Sequence, residues 1–185
     1  MKGRVDPLAL ITKYYPPESL AYEILREHSK MVAKKALAAA EVIGHLFPDR
    51  AFIEDAAMLH DIGIFLTDAP GLGCFGDEEY ICHGYLGREL LEKEGLPLHA
   101  LVCERHTGVG LSIADIEKND LPLPRRDMLP VSLEEKIICY ADKFFSKRIE
   151  SLSVEKSLDA VRAEIGRYGE EHLRRFEELH RLFSI

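Results

Sequence analysis

The sequence predicts an all-α fold. Apolar residues recur at three- and four-residue spacing along most of its 185 residues, no segment alternates cleanly with a period of two, and prolines mark the breaks between periodic stretches. An N-terminal arm precedes Pro16-Pro17-Glu18, which opens a first helix to about residue 27, and a second helix is expected over 28–46. Pro48-Asp49 ends that helix and caps a third over 50–62, with Gly63 as its C-terminal stop. The irregular stretch 65–77 carries Pro70, Gly71, Gly73 and Gly76 and is long enough to be a functional lid or rim. Further helices are expected over 83–94, 97–106, 112–118 and 132–148, with Pro122, Pro124 and Pro130 breaking the chain before the last. Ser132-Leu133-Glu134-Glu135 has the capping-box pattern. The stripe Leu158, Val161, Ile165, Tyr168, Leu173, Phe176, Leu179 and Phe183 steps irregularly at Gly166 and Gly169, which predicts two packed helices over 153–184. Glu170 with Arg174, Glu171 with Arg175, and Glu177 with Arg181 are expected as i,i+4 pairs on their wet face.

Composition narrows the function classes. The 24 Lys+Arg against 32 Asp+Glu leave a formal charge of −8, which argues against a surface that coats duplex nucleic acid or an anionic membrane. With 46% hydrophobic and 30% charged residues, a chain of this length buries roughly 70% of its extended surface, enough for one domain over 1–185. The apolar run 36–47 is cut by Glu41 and His45 and falls short of the roughly 20 residues that span a bilayer. Lys2 and Arg4 precede only a short apolar stretch at 8–11, which makes no secretion signal. Cys74, Cys82, Cys103 and Cys139 lie far apart with no C-x-x-C pair, as reduced core thiols do. These features predict a soluble, cytoplasmic protein.

The informative residues are imidazoles and carboxylates placed where a helix should be apolar. His60 and Asp61 follow Ile53, Ala56, Ala57 and Met58; Asp142 lies between Ile138 and Phe145 in helical register. His28 shares a face with Ile24, Leu25, Met31 and Val32, His106 follows Val102 and Cys103, and His83 precedes Leu86 and Leu90. One such histidine is ordinarily a hydrogen-bonded core residue. Two buried aspartates are different, because an uncompensated carboxylate in a low-dielectric interior costs several kcal/mol. No Lys or Arg shares their faces in helical register, which leaves a tertiary contact as one source of counter-charge and a divalent cation as the economical one. Four His and two Asp without thiolate suit Fe, Mn, Zn, Co or Ni, and six ligands exceed the needs of one closed zinc site. His45, His99, His172 and His180 fall outside this pattern and are read as ordinary polar residues. Phe65, Phe75 and Tyr80 are read first as core-closing aromatics and second as a base-stacking region.

The order His28 … His60-Asp61 … His83 … His106 … Asp142 resembles the HD-domain superfamily of metal-dependent phosphohydrolases, and His60-Asp61-Ile62-Gly63 resembles its HDIG subclass. The likeness spans 28–148. Glu104-Arg105-His106-Thr107-Gly108-Val109-Gly110-Leu111, with Leu133-Glu134-Glu135-Lys136-Ile137-Ile138 and Tyr140-Ala141-Asp142, is similar to a small prokaryotic HDIG-containing family of hydrolases. The resemblance implies an HD-domain helical bundle with a metal-binding core over 28–148. It also implies that His28, His60, Asp61 and Asp142 hold a first divalent metal, that Asp61 bridges, and that His83 and His106 complete a second site. The implied reaction is hydrolysis of a phosphoester or phosphoanhydride by a metal-activated hydroxide, with His60 and Asp61 at the catalytic centre. The substrate is then a small phosphate, nucleotides included. Arg105, Lys143, Lys147 and Arg148 are candidates to neutralise its phosphate. Two other readings of the same resemblance are a di-iron oxygenase of HD fold and a non-catalytic metal-bound nucleotide sensor.

Two departures bear on the substrate. Related families commonly carry Lys in the pattern HD-x-x-K, where this chain has Ile64, and the GYP element of the cyclic-dinucleotide phosphodiesterases is absent, with Gly108-Val109-Gly110-Leu111 in a similar place. The cyclic-dinucleotide activity is therefore disfavoured. The segment His106-Thr107-Gly108 and the helix leading to Asp142 retain a weaker likeness to diadenosine polyphosphate hydrolases.

Overall fold

A computed structural model describes residues 5–184. Lys2 and Arg4 lie outside the described residues. Helices α1 (Pro7–Tyr14), α2 (Leu20–Val42), α3 (Arg50–Leu59), α4 (His83–Lys93), α5 (Pro97–Arg105), α6 (Ile113–Lys118), α7 (Leu133–Asp142), α8 (Leu158–Gly166) and α9 (Glu170–Phe183) follow one another in order. The fold is all-α, apart from the short antiparallel pair β1 (Asp68–Ala69) and β2 (Cys74–Phe75). No described helix is long and apolar enough to cross a membrane.

The N-terminal arm, to which the sequence assigns no element, carries the helix α1. Asp6 accepts from the Ala9 amide at 3.0 Å and Pro7 sits at the first helical position, so α1 has a proper start despite its eight residues. Its buried Ile11, with Tyr15 beyond it, joins the main core. The expected break near residue 28 does not occur: Ser19 caps α2 through the Tyr22 amide, and nothing between Leu20 and Val42 interrupts the helix. The 65–77 segment is not a rim of the cavity described below. Phe65 stacks on Tyr14 and meets Tyr15 edge-on, and the segment's β pair and turns close that side of the core. Phe75 is largely exposed.

Two elements end earlier than helical periodicity implies, and both changes position the site. α3 stops at Leu59 and the chain tightens into a 3₁₀ turn, Ile62–Leu66. Gly63 acts there by close approach and not as a helix stop: a Cβ would lie 2.2 Å from the His83 carbonyl oxygen and 2.5 Å from the Gly87 amide nitrogen. Gly87 permits the same intimacy on its other side, where a Cβ would fall 2.2 Å from Cys103 Sγ of α5. This bare face lets α4 press against both the turn and α5. α7 likewise ends at Asp142 and not near residue 148. An unbroken helix would carry residue 147 about 7.5 Å along the axis beyond Asp142, whereas the turn after Asp142 brings Lys147 Nζ to 2.7 Å from Asp61.

The large buried cluster draws on α1 to α5 and α7 to α9, with a smaller one of Cys82, Leu111, Ile116, Leu123 and Met128 around α6. The C-terminal helices pack on α7 through Tyr140, Phe144, Phe176 and Phe183. Their charges pair differently from the simple i,i+4 scheme. Glu171 does meet Arg175, but Arg174 bonds Glu171 and Glu178, and Glu177 bonds Arg162 of α8. The capping box appears at Ser112–Asp115. At Ser132 only half of one forms, because Glu135 turns to the Val131 amide and to Arg105.

Candidate metal centre

His28 projects from the buried face of α2, His60 and Asp61 follow the end of α3, His83 opens α4, His106 follows α5, and Asp142 ends α7. All six are buried. The helix ends place them, since a residue at a terminus can point along the axis into the space where several helices meet. Three of the imidazoles make the same hydrogen bond. Nδ1 of His60, His83 and His106 lies 2.6, 2.6 and 2.7 Å from the carbonyl oxygen three residues earlier, those of Ala57, Tyr80 and Cys103. A carbonyl only accepts, so each Nδ1 carries the proton, and each Nε2 presents its lone pair to the centre.

The two Asp61 oxygens divide the cluster. Oδ2 lies 3.3 Å from His28 Nε2 and 3.1 Å from His60 Nε2, while Oδ1 lies 3.4 Å from His83 Nε2 and 3.2 Å from His106 Nε2. Asp142 Oδ1 stands 3.0 Å from His28 and 3.4 Å from His60. Donor atoms of His28, His60, Asp61 and Asp142 lie within 4.8 Å of one another, as do those of Asp61, His83 and His106, and each group could hold a metal ion. Despite these approaches, His60 Nε2 and both Asp61 oxygens make no hydrogen bond of good geometry. His83 and His106 face each other with Nε2 atoms 3.2 Å apart. Two lone pairs at that distance repel unless a cation lies between them. The donor chemistry therefore fits divalent metal, and the fit rests on convergence of acceptors more than on charge.

The counter-charge that the sequence left to tertiary contacts is present. Lysines absent from the helical faces reach the carboxylates through the tertiary fold: Lys143 Nζ is 2.7 Å from Asp142 and Lys147 Nζ is 2.7 Å from Asp61. Burial raises the Asp142 and Asp61 carboxyls, yet Lys143 and Lys147 beside the first, and His60 with Lys147 beside the second, hold both well below the usual range. Burial pushes His83 down to about 3 and also lowers His106, which keeps both imidazoles neutral. At His60 burial opposes the charge, but Asp61 and Asp142 outweigh it and lift the imidazole to about 9, so its Nε2 must give up a proton before it can ligate a cation.

The cluster opens into a cavity of about 500 Å³ lined at its inner end by His83, His106, Lys143 and Lys147. Of the sequence-derived phosphate candidates, these two lysines face it. Arg105 is instead held by Glu135 through two 3.0 Å contacts, and Arg148 is exposed; neither lines the cavity. Three further residues at the site were not among the ligand or phosphate candidates, Tyr80 having been read only as a core-closing or base-stacking aromatic. Tyr80 stacks on His83 at 4.8 Å between ring centres, burial pushing its hydroxyl up to about 12 against the pull of Lys147. Thr107 Oγ1 is buried beside His106 without a hydrogen-bond partner. Lys156 lines a side recess with Lys143 and Lys147. The dipeptide His106-Thr107 marked the second residue; nothing local marks Lys156, which arrives from an irregular segment. His172, read as an ordinary polar residue, lines the outer cavity.

An all-helical fold that gathers His, His-Asp, His, His and Asp into one buried cluster defines a metal-binding class of helical domain. The chain belongs to the HD domain family, which matches residues 25–146 and whose members are generally metal-dependent phosphohydrolases. It is 34% identical over 147 residues to an uncharacterized protein of Methanocaldococcus jannaschii, covering 77% of this chain and 79% of that one. It is also similar to proteins named tRNA (cytidine(56)-2'-O)-methyltransferase, at 32% identity in Picrophilus torridus and 30% in Thermoplasma volcanium. Those matches cover 74% and 68% of this chain but only 38% and 33% of the methyltransferases. No solved structure matches the chain.

Proposed function

We propose that this chain is a phosphohydrolase of the HDIG subclass that cleaves a phosphoester or phosphoanhydride bond in a nucleotide or another small phosphate. The observation that carries this reading is the division of Asp61, one oxygen toward His28 and His60, the other toward His83 and His106. His28, His60, Asp61 and Asp142 would hold one divalent cation, and Asp61, His83 and His106 a second. The N/O donor set favours Fe, Mn, Zn, Co or Ni. Such ions supply an acidified water at neutral pH and polarise a phosphoryl oxygen.

The chain's own residues do the rest. The Nδ1 bonds hold three imidazoles with Nε2 toward the centre, and Lys143 and Lys147 present cations to the substrate's phosphate. In the reaction a water oxygen bonds to phosphorus as the bond from phosphorus to the leaving oxygen breaks. The products are a phosphate and the leaving alcohol or shorter phosphate, which takes up a proton. Residues 1–185 are read as one HD domain acting on a small molecule in the cytoplasm, with no duplex or membrane partner. The methyltransferase activity in two relatives' names is not carried over, since the chain spans about a third of their length and its buried centre suits hydrolysis.

Elemental analysis of anaerobically purified protein should find two divalent ions per chain, and a nucleotide and phosphate-ester panel should identify a product. Asp61→Ala should lose both metal and turnover. His83→Ala and His106→Ala should lower the stoichiometry toward one. Full activity in the Asp61 variant would overturn the assignment, and unchanged stoichiometry in the histidine variants would leave a mononuclear centre.

A further inference from the structure

The cavity has two walls of different origin. One wall is the metal-type cluster with Lys143 and Lys147, which Ile165 of α8 also borders, whereas Arg167, Tyr168 and His172 belong to another. Ile165 and these three come from α8, α9 and the turn between them, all beyond the residues 25–146 that match the family. The rest of the lining includes the apolar Val109, Leu111 and Leu121 and the polar Asp115, Asn119 and Glu164. The second wall is firmly attached. Asp115 of α6 accepts from Arg175 of α9 at 2.8 Å, His172 Nε2 lies 3.3 Å from the same carboxylate, and Arg175 also donates to the Gly110 carbonyl.

Tyr168 stands out on this wall. The residue is 72% exposed and not used by the core, although its ring lies 6.3 Å from the His172 ring at the cavity. Two lysines, an apolar patch and a free aromatic ring on one cavity match a ligand with one phosphate, a compact linker and a flat ring. The volume of about 500 Å³ falls within the range of small-molecule sites and suits one nucleoside better than two.

We propose that α8 and α9 form the leaving-group subsite of this cavity, where Tyr168 stacks on the base of a nucleoside monophosphate whose phosphate lies against Lys143 and Lys147. The substrate class named here rests on the phosphohydrolase reading; the stacking subsite itself is a matter of binding. Tyr168 is then a specificity residue distant from the bond that breaks. Stacking of one base on an aromatic ring corresponds to roughly 5- to 150-fold in affinity.

The test uses the full chain with added Mn²⁺, as wild type, Tyr168→Ala and Tyr168→Phe. Phosphate release and equilibrium binding are measured for AMP, GMP, CMP and UMP against ribose 5-phosphate and glycerol 3-phosphate. Wild type should prefer nucleotides, Tyr168→Ala should lose at least about fivefold in kcat/KM and affinity for nucleotides alone, and Tyr168→Phe should keep both. Equal losses on ribose 5-phosphate, or no nucleotide preference in wild type, overturn the subsite and leave the hydrolase reading standing. Tyr168-dependent nucleotide binding with no phosphate release supports the subsite and overturns the hydrolase reading. If wild type binds no nucleotide, the subsite is wrong, and release from the two base-free esters decides the hydrolase reading separately.

Discussion

Replacing Asp115 by Asn removes one negative charge from the joint between α6 and α9 while keeping its shape. The carboxylate accepts from the Ser112 amide and hydroxyl at 2.8 Å each and from Arg175 at 2.8 Å. Burial alone would raise its pKa, but the Ser112 amide and Arg175 outweigh burial and hold it at about 2, against 3.8 for a free side chain. A drop of nearly two units, at about 1.4 kcal/mol per unit, makes the ionised form worth about 2 kcal/mol to the fold. The side chain is only 14% exposed, so solvent screening removes little of this. A depressed folded-state value means that the stabilisation is complete above pH 4 and fades as pH falls toward 2. For a chain of this length the loss corresponds to about 4–8 °C in Tm. Calorimetric melts of wild type and Asp115→Asn from pH 7 to pH 2 should show that gap at neutrality and its closure in acid. Equal melting at pH 7, or a gap that persists unchanged at pH 2, would refute the reasoning.

Other outcomes follow from the packing around the cluster. Gly63→Ala puts a methyl group 2.2 Å from the His83 carbonyl oxygen; overpacking of this kind costs about 1–3 kcal/mol or more. Urea unfolding should record that loss, and metal content should fall with it because His83 must shift. Tyr15→Phe deletes a buried hydroxyl that donates to the Ile62 carbonyl at 2.8 Å and accepts from the Phe65 amide at 3.1 Å. Leaving those two groups unpaired should cost about 1–3 kcal/mol in denaturant melts, and a variant as stable as wild type would show that water replaces the hydroxyl.

Helix content and the six metal-type residues were legible because both are written in short-range patterns. Apolar spacing of three and four reports a helix face, and a His or Asp interrupting that face reports a polar group facing inward. Gly63 was legible as a glycine but misread in role, since its neighbour His83 lies twenty residues on and spacing carries no trace of that contact. The early end of α7 was hidden for the same reason: local propensity continues through 143–148, and the tertiary pull of Lys147 on Asp61 wins. Arg105 and Lys147 looked equivalent beside their ligands in sequence. Glu135 takes the first into an ion pair, and the turn after Asp142 delivers the second to the site.

By itself, then, the chain's order of residues determined an all-helical architecture and which imidazoles and carboxylates must lie inside it, because burial of apolar stripes leaves those groups no exit to water. Only the tertiary structure decided how they meet. The bare glycine surfaces of Gly63 and Gly87 draw α4 and α5 onto the turn after Asp61, the two lysines return from beyond α7, and the far wall of the cavity comes from helices outside the family match. Each of these rests on contacts between segments distant along the chain, which no local period encodes.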